Sequence, residues 1–128
     1  MYYWNKEVEL KTLVGKKIAS IKGLEKESDE VSFFTDDGNE YKFHHSQDCC
    51  ESVALNDFDG SAEDLIGATV LSAEEVEGEF EAPEHAESYT WTFYKIETDK
   101  GGLWMRWLGE SNGYYSEGVD FIWVNKPD

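Results

Sequence analysis

Positive charge is missing from the middle of this sequence: residues 43 to 94 contain no lysine or arginine but 13 aspartates and glutamates. Over the whole chain of 128 residues there are 28 acidic and 11 basic side chains, and the formal net charge is -17. Nucleic acid and anionic membranes would both repel such a surface. The charge therefore predicts no direct binding to either, and its natural complement is a basic protein surface or a cation.

Long hydrophobic runs are missing too. No stretch approaches the ~18 apolar residues that a membrane-spanning helix needs, and the opening MYYWNKEVEL has neither the basic nor the apolar region of a secretory signal. The only two cysteines, Cys49 and Cys50, are adjacent, which is poor geometry for an ordinary disulfide. These features predict a non-exported protein of a reducing cytoplasm.

Proline and helix signals are scarce, whereas aromatic residues make up 15% of the chain. That much bulky apolar surface predicts one folded domain over residues 1–128, despite the charge. Helix is expected only in one or two short turns, including Ser61–Ile66. The predicted fold class is therefore α+β, mainly a twisted antiparallel β-sheet. Alternation of apolar and polar residues predicts strands at 31–35, 40–45, 90–98, 103–108 and 119–124.

The two halves of the sequence resemble each other in three places that occur in the same order. This order predicts an internal duplication of a short helical turn, a strand, a β-hairpin and an irregular turn, with pseudo-repeats at about 8–58 and 61–124. The matching pairs are Leu10–Ser20 with Ala62–Ser72, Thr35–Tyr41 with Thr98–Trp104, and Gln47–Ser52 with Ser111–Glu117.

Several strings over about residues 40–121 resemble a family of small, uncharacterised proteins from bacteriophages and prophages. The resemblance implies a phage or mobile-element origin and action in the cytoplasm of a bacterial host. It brings no activity, and therefore no functional residues, that can be carried over to this sequence. The strings are HSQDCCES (45–52), DLIG (64–67), LSAEE (71–75), ESYTWTFYKIET (87–98) and SNGYYSE (111–117).

The run from His44 to Glu51 contains the common ligand types of transition metals. His45, Asp48, Cys49 and Cys50 are weak candidates, because zinc needs about four converging ligands and adjacent residues rarely point at one ion. A reactive thiol is a further alternative. We favour a buried structural turn, since free cysteine packs like a small apolar residue and since the matching place in the second half holds two tyrosines.

No local signature of an enzyme is present: there is no nucleophile elbow and no phosphate-binding glycine loop. The sequence therefore predicts a protein that is not an enzyme and needs no cofactor. Aromatic residues near the end of the chain are expected mainly in the core, with a ligand surface as the alternative. They are Trp104, Trp107, Tyr114, Tyr115 and Trp123.

The acidic segment, Glu74–Glu87, has the sequence EEVEGEFEAPEHAE. Its glutamates alternate with small and apolar residues from Glu75 to Glu81, which in an extended strand would place four carboxylates on one face, about 6.7 Å apart. Three roles remain open: a sheet edge protected by charge, a surface that attracts a basic partner, or a divalent-cation site. The candidate partner-binding residues are Glu74, Glu75, Glu77, Glu79, Glu81, Glu84 and Glu87.

The leading hypothesis is an acidic, phage-encoded binding protein. It would occupy a basic surface of a bacterial protein, normally used for nucleic acid, as an inhibitor of a host-defence nuclease would. The first alternative is a phage structural, assembly or replication accessory protein whose acidity only confers solubility. The second is a small metal-binding enzyme. The oligomeric state is not predicted.

Overall fold

The computed structural model describes residues 5–124. Within them, no helix is long and apolar enough to cross a lipid bilayer. One 3-10 helix, Leu10–Leu13, precedes most of the strands. The strands are β1 (Lys6–Glu7), β2 (Ile18–Lys22), β3 (Glu30–Thr35), β4 (Glu40–His44), β5 (Ser52–Asp59), β6 (Val70–Val76), β7 (Ser88–Thr98), β8 (Gly101–Ser111) and β9 (Asp120–Trp123).

All of these strands pair antiparallel and form two sheets. The first sheet has the order β1-β9-β4-β3-β2, and the second has the order β5-β8-β7-β6. The predicted antiparallel pairing is therefore confirmed, but the prediction of one main sheet is wrong, because the strands divide into two sheets. The helical part of the α+β prediction is not confirmed: Ser61–Ile66 forms turns rather than a helix, because a helix that short does not repay its nucleation.

The predicted alternation of inward and outward side chains is confirmed in β8, whereas β3 and β7 each bury three successive residues. In β7, Tyr94 and Ile96 are buried, and in β8 the buried positions include Leu103 and Trp107. The two sheets share one hydrophobic cluster. Phe43 of the first sheet contacts Tyr94 of the second, with ring centroids 4.9 Å apart.

The last strand of each half of the chain belongs to the sheet of the other half. Strand β5 follows β4 along the chain but pairs with β8, and β9 follows β8 but pairs with β4. Each half therefore consists of a turn, a three-stranded meander and a fourth strand that crosses to the opposite sheet. As a result, each sheet is completed only by the other half.

The turns that begin the two halves contact each other through equivalent hydrogen bonds. The Gly15 amide donates to the Val70 carbonyl at 2.8 Å, and the Gly67 amide donates to the Ile18 carbonyl at 2.7 Å. Both glycines adopt positive φ, 86° and 83°, which side chains disfavour. A register irregularity follows Ile18 in β2 and Val70 in β6.

Replacing Phe43 by Ala should destabilise the protein by about 3–5 kcal/mol, because the ring is fully buried between the sheets and its removal leaves a cavity. Chemical denaturation measures this change. Leu71→Ala is the matched control, since Leu71 is 58% exposed and its truncation should cost little. Equal losses from both substitutions would contradict the assignment of the shared core.

Candidate functional site

The acidic segment begins on an edge strand and continues as an irregular loop. Strand β6 ends at Val76, and residues 77–87 form no strand. The predicted extended row of carboxylates from Glu75 to Glu81 is therefore wrong beyond Val76. At Gly78 the backbone lies close to the Phe93 ring, which an added Cβ would approach to 2.9 Å.

The seven candidate glutamates nevertheless share one property. All are exposed, and none forms an ion pair with a basic side chain in residues 5–124. Their charge is therefore uncompensated by local cations. The seven are Glu74, Glu75, Glu77, Glu79, Glu81, Glu84 and Glu87.

The loop is attached to the sheet through Phe80 and Arg106, the only arginine of the chain. The guanidinium carbon lies 3.7 Å from the centre of the Phe80 ring and 5.4 Å from that of Trp91. Its Nε donates to Asn56 Oδ1 at 2.9 Å, and Asp57 forms an ion pair at 3.7 Å. Arg106 is thus held in place by Asn56 and Asp57. It anchors the loop through Phe80 and forms no ion pair with the glutamates of the acidic segment.

A groove of about 490 Å³ opens beside the end of β6. Carboxylates and one indole ring form much of its wall. Such a combination suits a cationic side chain, because carboxylates attract the charge and an aromatic face stabilises it. The lining residues are Glu75, Val76, Glu77, Gly78, Glu79, Trp91 and Thr92.

A second polar cluster joins the two crossover loops, residues 45–51 and 112–119. His45 Nε2 lies 2.7 Å from Glu51 Oε2, and His45 Nδ1 lies 2.7 Å from the Gly118 carbonyl oxygen. A carbonyl and a carboxylate both accept hydrogen bonds, so the ring must donate from both nitrogens and is an imidazolium. The His45 and Glu51 side chains are only 5% and 0% exposed.

Glu51 also organises the loop that precedes it. Its carboxylate accepts hydrogen bonds from the amides of Asp48 at 2.9 Å and Cys49 at 2.8 Å. The hydrogen bond from His45, together with these amides, lowers the pKa of Glu51 to about 2. Burial opposes the charge of His45, but its hydrogen bonds to Glu51 and Gly118 and the nearby carboxylates raise its pKa above 6.5.

The four weak metal candidates do not converge. Both nitrogens of His45 are engaged, and Asp48, Cys49 and Cys50 are exposed. Within residues 5–124, no group of three or more histidine, cysteine or acidic side chains is placed to hold a metal ion. The expectation of buried cysteines is wrong, because the turn buries the Glu51 carboxylate and leaves both thiols in solvent.

The five aromatic candidates fall into different environments. Trp107 is fully buried, as expected for the core, whereas Tyr114 is 83% exposed. The others are half-buried: Trp104 packs on Phe93 with centroids 5.9 Å apart, Trp123 donates to Asn39, and a hydrogen bond with Cys49 raises the pKa of Tyr115 to about 12. The core expectation therefore fails for Tyr114.

Sequence reasoning missed three residues of these clusters: Phe80, Arg106 and Glu51. Arg106 gave a signal, since it is the only arginine and stands between two tryptophans on an alternating strand. Glu51 gave none, because one glutamate in a polar loop is typical of an exposed residue.

Replacing His45 by Gln should destabilise the protein in a pH-dependent way. The pKa of His45 is raised, so its contribution is fully present below pH 6.5 and is lost as the pH rises through the folded-state pKa. The pKa of Glu51 is lowered from 4.5 to about 2, so its contribution is present above pH 4.5 and is lost toward pH 2. The Tm values of the wild type and H45Q should therefore differ most between pH 4.5 and pH 6.5, by several degrees.

His44→Gln is the control, because His44 is the neighbouring half-buried histidine and burial lowers its pKa. This substitution removes no buried ion pair and should change Tm little. A Tm difference between the wild type and H45Q that is constant from acidic to alkaline pH would contradict the assignment of an imidazolium–carboxylate pair.

Replacing Phe80 by Ala should free the loop while leaving the sheets folded. The stacking on Arg106 contributes about 1–2 kcal/mol to local order, so a glutamate-specific protease should cleave residues 77–87 several-fold faster. Tyr114→Ala, an exposed aromatic residue on another loop, should leave the cleavage rate unchanged. Identical cleavage of wild type and F80A would rule out the anchor.

A family profile for a domain of unknown function, DUF7448, matches residues 11–121. The match covers the second sheet, strands β2 to β4 of the first, the acidic segment and the cluster at His45. Comparison with curated proteins and with solved structures gives no match. Because the profile covers most of its length, the chain belongs to the DUF7448 family.

Proposed function

We propose that this protein is a non-enzymatic binding protein whose acidic segment occupies a basic surface on a bacterial protein. The observation that carries the proposal is the set of seven exposed glutamates that have no ion pairs within residues 5–124. A solubilising surface would not need to exclude basic residues over the 52 positions from 43 to 94.

The spacing of the glutamates allows them to act together. Cα atoms two residues apart are at most about 7 Å from each other, and screening at physiological salt acts over about 8 Å. The fields of Glu75, Glu77 and Glu79 therefore overlap. Overlapping fields of one sign accelerate encounter with a basic surface and make the association sensitive to salt.

The attachment of the loop supports the same function. Phe80 stacked on Arg106 restrains the loop before any partner arrives. Restraint in advance reduces the conformational entropy that binding must remove, and so increases affinity. An unrestrained acidic tail would have the same charge without this advantage.

The proposed partner is a nucleic-acid-binding protein of the bacterial cytoplasm, such as a nuclease of host defence. Such proteins carry the basic surfaces that a group of exposed carboxylates complements. The phage origin rests on the sequence resemblance over about residues 40–121. Inhibition would follow from competition with nucleic acid for one surface.

We also infer that the two halves arose by duplication. The paired hydrogen bonds of Gly15 and Gly67 and the exchange of β5 and β9 support this origin. The connection between the first two strands of the meander is residues 23–29 in the first half and residues 77–87 in the second. The acidic loop is therefore a feature of the second half, added to a scaffold that does not require it.

Reversing Glu75, Glu77 and Glu79 to Lys should abolish capture of basic proteins from a bacterial lysate at low salt. For a captured partner after purification, we expect Kd to rise roughly tenfold or more, which is about 1.4 kcal/mol, and nucleic acid should compete with the wild type. The matched control is E25K/D29K/E63K, which changes the net charge equally at exposed residues elsewhere.

Equal weakening by the two triple variants would mean that only net charge matters, and the proposal would fail. An affinity that stays constant between about 50 and 500 mM salt would also count against it, because screening should weaken steering by exposed carboxylates. Circular dichroism of both variants verifies that the fold persists.

A further inference from the structure

We propose that the open edge of β6 accepts an extended, lysine- and arginine-rich segment of the partner as an added β-strand. This inference rests on the proposed function and specifies how the basic partner is bound. The unpaired backbone of β6 is the feature that carries it, and the charge of the strand selects the occupant. Added strands of this kind bind through main-chain hydrogen bonds and gain specificity from side-chain pockets.

The edge is available over most of its length. Strand β6 is an edge strand of the second sheet. Only Val70 at its start has partners on the outer side: its carbonyl accepts from the Gly15 amide at 2.8 Å, and its amide donates to the Lys16 carbonyl at 2.9 Å. From Leu71 to Val76, the outward backbone groups have no backbone partner within the described residues. This free edge is about 20 Å long at 3.3 Å per residue.

The other sheet edges are less suitable. Strand β5 is partly covered, because Leu55 exchanges hydrogen bonds with Glu27 and Ser28 at 2.8 and 2.7 Å. Strand β1 has only two residues. Strand β2 ends in Lys22, follows Lys17, and carries no acidic residue. Among the described strands, β6 thus combines an open edge with uncompensated acidic side chains.

The charges on β6 favour a basic occupant and disfavour a second copy of the chain. Glu74 and Glu75 are adjacent, so they lie on opposite faces of the strand. Side chains of an added strand would come within about 4.5–5.5 Å of them, measured between Cβ atoms. Lysine or arginine at that distance is stabilised on either face, whereas another β6 would bring glutamates together.

The groove at the end of this edge extends the same chemistry. Glu75 belongs to both β6 and the groove, whereas Glu77 and Trp91 line the groove outside β6. An added strand that pairs with β6 would place one of its side chains at the groove. A guanidinium or ammonium group there would meet carboxylates and an indole ring together.

The test uses two synthetic peptides of about eight residues with alternating lysine and valine, a length that matches a β-strand. One has ordinary amides, and the other has two adjacent central amides N-methylated, which blocks hydrogen bonding on both edges while preserving charge. Fluorescence anisotropy gives Kd, and hydrogen exchange reports on the amides of residues 71–76. We expect the ordinary peptide to bind at least roughly tenfold more tightly than the N-methylated peptide. We also expect it to slow hydrogen exchange at the amides of residues 71–76.

Two protein variants complete the test. E74K/E75K should lose the binding of the ordinary peptide, whereas E25K/D29K, with the same change in charge, should keep it. Equal Kd values for the two peptides, or unchanged exchange at residues 71–76, would overturn the added strand while leaving the acidic surface as a binding site. Failure of the ordinary peptide to bind at low salt would overturn the added strand as well. The proposed function itself fails only by the salt and triple-variant measurements on the cellular partner.

Discussion

The exchange of one strand between the halves of the chain is the constraint on which the rest of the structure depends. The first sheet needs β9 beside β4, and the second needs β5 beside β8. The crossover loops that make the exchange meet at the buried pair of His45 and Glu51. Removing one partner of such a pair leaves a buried charge without compensation, so this contact fixes where the two loops cross.

The fold tolerates the acidic surface because the stability of the two sheets does not depend on these glutamates. The fold is stabilised by hydrophobic burial between the two sheets and by the backbone hydrogen bonds within them. The buried residues occupy the inward positions of the strands. The glutamates lie on an edge and a loop, where like charges reduce stability least because solvent surrounds them. One stacked arginine then restrains the loop.

Local patterns in the sequence predicted most of the strands and two hairpins, but not β1 or β5 and not the pairing of distant strands. Alternation correctly placed Leu103, Met105 and Trp107 on one face of β8, because the period of two follows from backbone geometry alone. The exchange of β5 and β9 depends on contacts between distant residues, which no local pattern contains. The end of β6 at Val76 was missed as well, because the alternation of the sequence continues to Glu81. Glu51 was missed because its burial follows from the crossing of two loops.

The pairing of β1 with β9 has a consequence for synthesis on the ribosome. Within residues 5–124 the first strand pairs with the last, and β9 also separates β1 from β4. While translation proceeds, β4 must remain without this neighbour until β9 has left the exit tunnel. The first sheet can therefore be completed only after β9 has been synthesised, and until then the unpaired edge of β4 is a site for chaperones or for aggregation.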